Sequence, residues 1–210
     1  MNFKPLVSIW SRPTDVLNYM KDRLSLKYAV AILALAALST GGYQAGNTNL
    51  TSSLPLGVQI PLLIITTFVG ALISWVIGSA LYTWIGRGIF GGRGTFRDML
   101  RVVPASSIPM IWMAPVNYAV IAVYGELAFK TPDPESLTIT YLPLTVYLFV
   151  NFLTFALGIY AIVISSKGIG LVHGFSAWKG FGVNLLVLVA GFLIAALMIL
   201  LFVFVFAFGM

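Results

Sequence analysis

The chain has 210 residues, which ordinarily means one or two soluble domains, yet 60% of them are hydrophobic and only 9% charged, against roughly 25% charged in a soluble domain. No soluble fold hides that much apolar surface, so the solvent must be lipid and the fold class all-α, a polytopic bundle of membrane helices. Twelve basic and six acidic residues give a net charge of +6, and the lack of cysteine excludes a disulfide scaffold, a Cys-ligated metal site and thiol catalysis.

Residues 1–25 form a segment of their own. After Pro13 and Thr14, which suit a helix start, Val16, Leu17, Met20 and Leu24 recur at helical spacing, with Asp15, Asn18, Lys21, Asp22 and Arg23 between them. The pattern predicts an interfacial amphipathic helix, its apolar side in the acyl region and its cations near anionic headgroups. About 25 residues ahead of an apolar run exceed an ordinary signal-peptide n-region, so the first span is expected to be retained.

The charged residues divide the remainder into measurable stretches. There are 59 uncharged residues between Lys27 and Arg87, 24 between Arg101 and Glu126, 31 between Glu135 and Lys167, and 31 after Lys179. A spanning helix takes about 20 residues, so the first stretch holds two spans, split by the polar run from Gln44 to Ser53, and the others one each. Residues 26–210 are therefore read as a five-span membrane domain, with spans near 26–43, 59–84, 102–124, 140–164 and 182–207. The first is short unless Lys27 snorkels. Phe202, Phe204, Phe206 and Phe208 alternate as a strand would, but an open strand in lipid leaves its backbone unpaired, so the last span is read as helix.

Basic residues set the direction. The N-terminal segment carries Lys4, Arg12, Lys21, Arg23 and Lys27, the second connection Arg87, Arg93, Arg97 and Arg101, and the fourth Lys167 and Lys179. Lys130 alone falls on the other side. The reading is N-terminus cytoplasmic and C-terminus outside, with +8 on the inner face and −2 on the outer. Tyr28, Trp84 and Trp178 near one boundary and Tyr43, Tyr124 and Tyr141 near the other agree with it. Asn49-Leu50-Thr51 is a sequon on the outer side. A charge confined to one face gives no reason to invoke nucleic acid.

Four features are candidates for chemistry. Gly86 to Gly94 contains a literal GxGxxG, but it follows a membrane helix and has no acidic residue about 20 positions on, so a dinucleotide site is not supported. Arg87, Arg93, Arg97 and Arg101 around it form a candidate face for a protein partner or anionic lipid headgroups. The third span holds Pro104, Pro109 and Pro115. Pro109 and Pro115 free the carbonyls of Ala105 and Ile111, with Ser106 and Ser107 placed to help satisfy them, so Ser106, Ser107, Pro109 and Pro115 mark a candidate broken-helix site. Asn117 and Asn151 are candidate interhelical polar contacts that could meet; Asn184 lies nearer the inner surface. Gly70, Ser74 and Gly78 form a small-residue stripe on the second span, fit for internal packing or a homo-oligomer.

Apart from Lys27 at the edge of the first, no charged residue or histidine falls inside the five spans, and neither HExxH nor paired intramembrane carboxylates occur, so the groups used by proton relays and metalloproteases are missing. Ser106 or Ser107 with His173 makes a serine–histidine pair on paper, without an elbow or an orienting acid; His173 is read as a loop residue. No catalytic residue, cofactor site or metal site is assigned.

With five spans, an inner N-terminus, Trp10 and Pro13 ahead of an amphipathic helix and a Gly-rich arginine loop, the chain resembles the Yip-domain (Ypt-interacting protein) family. The run Phe96 to Pro109 is similar to that family's amphipathic lead into a proline-broken third span, and His173-Gly174-Phe175-Ser176-Ala177-Trp178-Lys179 to its final connection. The resemblance implies a non-enzymatic membrane protein; eukaryotic members bind Rab-type small GTPases in endoplasmic-reticulum–Golgi traffic, sometimes in membrane shaping. Their longer N-terminal region carries an Asp-Leu-Tyr-Gly-Pro type motif that this chain lacks, so a small-GTPase partner does not carry over. It looks like a compact prokaryotic-type member of the inner cell membrane, organising membrane or docking partners through its basic face. The alternatives are a small channel or carrier using the third span, and lipid headgroup handling.

Overall fold

A computed structural model describes residues 4–42, 54–130, 132 and 138–208, with side chains through 204. Two short helices, α1 (Lys4–Ser8) and α2 (Pro13–Arg23), precede α3 (Leu26–Gly41) and α4 (Leu56–Gly88). Then come α5 (Phe96–Val102), a 3-10 turn (Val103–Ser107), α6 (Ile108–Ile111) and α7 (Ala114–Tyr124), and finally α8 (Leu144–His173) and α9 (Ala177–Phe208). The described residues contain no strand. The sequon and Tyr43 lie outside them.

Local chemistry sets the boundaries. Pro13 occupies the first turn of α2, where its missing N–H has no partner to lose, with Asp15 at the positive end and Lys21 and Arg23 at the negative end. The Thr95 hydroxyl accepts the Asp98 amide and donates to the Asp98 carboxylate at 2.6 Å, capping α5. Gly174, in the left-handed conformation at φ 74°, stops α8, and the Gly174 and Phe175 amides both donate to the Gly170 carbonyl.

Three of the helices, α4, α8 and α9, are long and apolar enough to cross a membrane. The run from Phe96 to Ala128, bent by 43° at its break, makes a fourth if it is one span. With 16 residues, α3 is shorter, about 24 Å at 1.5 Å per residue. Both α4 and α9 exceed their expected spans at each end, so Arg87 and Lys179 sit on helical turns outside the apolar cores, while α8 starts later than expected, at Leu144, and runs on to His173.

The third span breaks at its prolines: Pro104 opens the 3-10 turn, Pro109 opens α6 and Pro115 opens α7. The Ala105 carbonyl that Pro109 strands accepts the Ile108 amide instead, a 3-10 bond that tightens the turn. Ser106 donates to the Val103 carbonyl at 2.8 Å, and Ser107 is half-buried beside it.

Burial is concentrated at the basic end. Leu17, Met20, Met99, Val102, Ile108, Ile164, Ile169, Val172 and Val183 form one core there. By contrast α9 from Leu188 to Phe204 is almost entirely exposed and apolar on all sides, the signature of a helix solvated by lipid. The stripe of Gly70, Ser74 and Gly78 takes no part in internal packing. A Cβ at Gly70 would meet nothing within 4 Å, one at Gly78 only Tyr82 of the same helix, and Ser74 is exposed.

The amphipathic helix forms where its periodicity places it, but its apolar side does not lie in an acyl layer. Val16, Leu17 and Met20 are buried in protein, with α2 packed on α5 and α8, and Leu6 and Ile9 extend the same contact. Relative to water, burying five such side chains is worth about 1.5–3 kcal/mol each. The N-terminal segment is a strap on the bundle.

Candidate functional site

The strap is fixed by side chains that reach its backbone. Arg101 Nη1 donates to the Lys21 carbonyl at 3.1 Å, Trp112 Nε1 to Leu6 at 3.2 Å and the Tyr160 hydroxyl to Ile9 at 2.7 Å. Trp10 stacks on the Tyr160 ring. Three elements of the bundle thus satisfy strap carbonyls.

Beside the strap, the Gly-rich run wraps His173. Gly91 turns at φ 67°, a conformation open to glycine without Cβ strain. The Gly92 amide then returns to the Gly86 carbonyl at 2.8 Å, Arg93 N–H donates to the His173 carbonyl at 3.1 Å, and Gly94 N–H to His173 Nδ1 at 3.2 Å. A Cβ on Gly86, Gly92 or Gly94 would fall within 3.0 Å of the imidazole or of Val172. These glycines are spaced to admit a ring, and their amides are already occupied, so the loop is not a phosphate cradle.

Accepting at Nδ1 puts the proton of a neutral imidazole on Nε2. That atom is buried against Gly86 and has no hydrogen-bond partner among the described residues. Phe175 stacks on the ring at 5.3 Å. His173 is therefore a buried clasp rather than a loop residue, and the Ser106/Ser107–His173 pair does not form: Ser106 is turned to Val103. Among the described residues, no three His, Asp or Glu side chains gather as a metal site would require.

The clasp sorts the four arginines into two kinds. Arg87 Nε donates to the Gly94 carbonyl at 2.7 Å, and Arg101 is half-buried under the strap, its Nε without a partner. Arg93 and Arg97 are exposed. Arg87 holds the loop through Nε while remaining exposed, Arg101 holds the strap, and Arg93 and Arg97 are presented beside them.

At the break in the third span, Ser39 Oγ donates to the Met110 carbonyl at 2.7 Å, Asn117 Nδ2 to the Ser39 carbonyl at 2.8 Å, and the Tyr118 hydroxyl to Leu38 at 2.7 Å. Asn117 is thus an interhelical contact to α3. It does not meet Asn151, which is exposed and donates to Tyr147 one turn earlier in its own helix. Asn184 makes the other interhelical contact, donating to Ser166 Oγ and accepting from Ser165 Oγ, each at 3.0 Å. Pro104, Ala105, Ile108 and Pro109 are buried, and Pro115 borders an apolar groove of about 490 Å³ between α7 and α8.

A Yip1-domain family model matches residues 7–209. The chain belongs to the Yip1-domain family. No curated protein and no solved structure matches it. The Yip1 match starts inside α1, so it takes in the strap with the helices. This Yip1-domain chain is an integral membrane protein, its apolar helices embedded in the lipid bilayer. Its His173 clasp was hidden from periodicity, because a lone histidine carries no pattern; the glycines at 86, 92 and 94 were the available signal.

Proposed function

We propose that this Yip1-domain protein is a non-enzymatic, five-span protein of the prokaryotic inner membrane that docks a partner through its basic cytoplasmic face. In this reading α3 is the fifth span, with Lys27 snorkelling to the headgroups, and the N-terminus lies inside. The observation that carries it is the exposure of Arg93, on a loop held by His173 and Arg87, and of Arg97, on the first turn of α5 next to it. A loop ordered beforehand loses less entropy on binding than a free one. A conducting path along the third span has less support, because the carbonyl freed by Pro109 is satisfied locally and Pro104, Ala105, Ile108 and Pro109 are buried in protein.

Purification of the full chain from its native membrane tests the reading. A partner should co-purify with the unaltered chain, be lost when Arg93 and Arg97 become Ala, and survive Lys130→Ala. Equal recovery from all three, with thermal stability unchanged, contradicts it.

A further inference from the structure

The last two turns of α4 and the start of α5 border an open surface cleft of about 490 Å³, lined by Ala80, Thr83, Trp84, Arg87, Gly88 and Phe96. Its wall is apolar: Trp84 is 72% exposed and Phe96 40% exposed, a large cost in water and none against acyl chains. Thr83 turns its hydroxyl to the Ser79 carbonyl at 2.7 Å and so adds no free polar group. Arg87 is the charge of the cleft. Its Nε is held by the Gly94 carbonyl, which fixes the plane of the guanidinium, and no carboxylate pairs with it among the described contacts.

We infer that this cleft holds one anionic phospholipid of the leaflet that meets the basic end, its phosphate on the Arg87 guanidinium and an acyl chain along Trp84 and Phe96. The fit is one of chemistry and charge. A guanidinium fixed at Nε still offers its Nη donors to phosphate oxygens. The neighbouring Arg93 and Arg97 raise the local positive potential and favour an anionic lipid over a zwitterionic one. The amides of the Gly-rich loop are not needed, since His173 and Gly86 already occupy those of Gly92 to Gly94. The inference rests on the proposed placement of this end at a leaflet surface, but not on a docked protein.

The test is native mass spectrometry of the detergent-purified full chain after equal additions of phosphatidylglycerol or phosphatidylcholine. Phosphatidylglycerol should be retained in preference, and Arg87→Gln should weaken its retention about tenfold. Because Arg87 also ties down Gly94, a second variant, Ala80→Trp, fills the cleft without touching the charge and should weaken retention too. Equal retention of the two lipids, or wild-type retention by both variants, overturns the inference. So does equally tight binding of glycerol phosphate, which has the headgroup chemistry without acyl chains. Lipid retention lost in Ala80→Trp while the partner still co-purifies would separate this site from the docking face; no lipid retention with partner capture intact would sink the lipid inference alone.

Discussion

The ring of Tyr160 lies on that of Trp10, centroids 5.1 Å apart and planes 5° apart, while its hydroxyl donates to the Ile9 carbonyl at 2.7 Å. One side chain of α8 thus holds the strap by stacking and by a hydrogen bond. Tyr160→Phe keeps the ring and should cost about 1 kcal/mol of strap docking. Tyr160→Ala should cost more, by the aromatic pair's further 0.5–1.5 kcal/mol or so. Tryptic cleavage at Arg23, followed by Leu24 at the end of α2, reads both: about fivefold faster for Tyr160→Phe and faster again for Tyr160→Ala. Cleavage unchanged in both would mean that the strap is held elsewhere.

The glycines around His173 should respond unequally. Gly86→Ala or Gly92→Ala drives a methyl into the imidazole, and overpacking of this kind typically costs about 1–3 kcal/mol. Gly88 ends the same helix with nothing within 4 Å of a Cβ, so Gly88→Ala should be neutral or stabilising by up to about 1 kcal/mol. Thermal denaturation in detergent measures the contrast. Similar melting temperatures for all three variants would remove the clasp from the account.

The asparagines make a matched pair of controls. Asn117 is buried and bonds α3, so Asn117→Ala should destabilise by about 1–3 kcal/mol through a cavity and a lost interhelical bond. Asn151 is exposed and bonds its own helix, so Asn151→Ala should stay within about 0.5 kcal/mol. Denaturant or thermal midpoints for the two variants decide; equal effects would contradict the assigned partners.

These contrasts also show what was legible in the chain. Charge spacing and apolar length led to the long helices, and Val16, Leu17 and Met20 to α2, because both patterns are local. Where α2 lies was not legible, since one apolar stripe fits an acyl layer and a protein groove equally well. The period-two phenylalanines did fall in a helix, as backbone satisfaction in lipid requires. Asn117 found a partner across helices, but a carbonyl of α3 in place of Asn151, and backbone acceptors have no residue identity to read. The four arginines looked alike in sequence; only the fold shows that Arg87 and Arg101 bond the loop and the strap, and that Arg87, Arg93 and Arg97 are exposed while Arg101 is half-buried.

All of the functional reading depends on the basic end facing the cytoplasm. The chain has no cysteine, so one introduced thiol is the only one to label. Arg97→Cys, Lys179→Cys and Lys130→Cys place that thiol at exposed positions, two at the basic end and one at the other. A membrane-impermeant maleimide added to intact cells should label Lys130→Cys and reach Arg97→Cys and Lys179→Cys only after permeabilisation. Labelling of Arg97→Cys or Lys179→Cys in intact cells, with Lys130→Cys protected, would contradict the account.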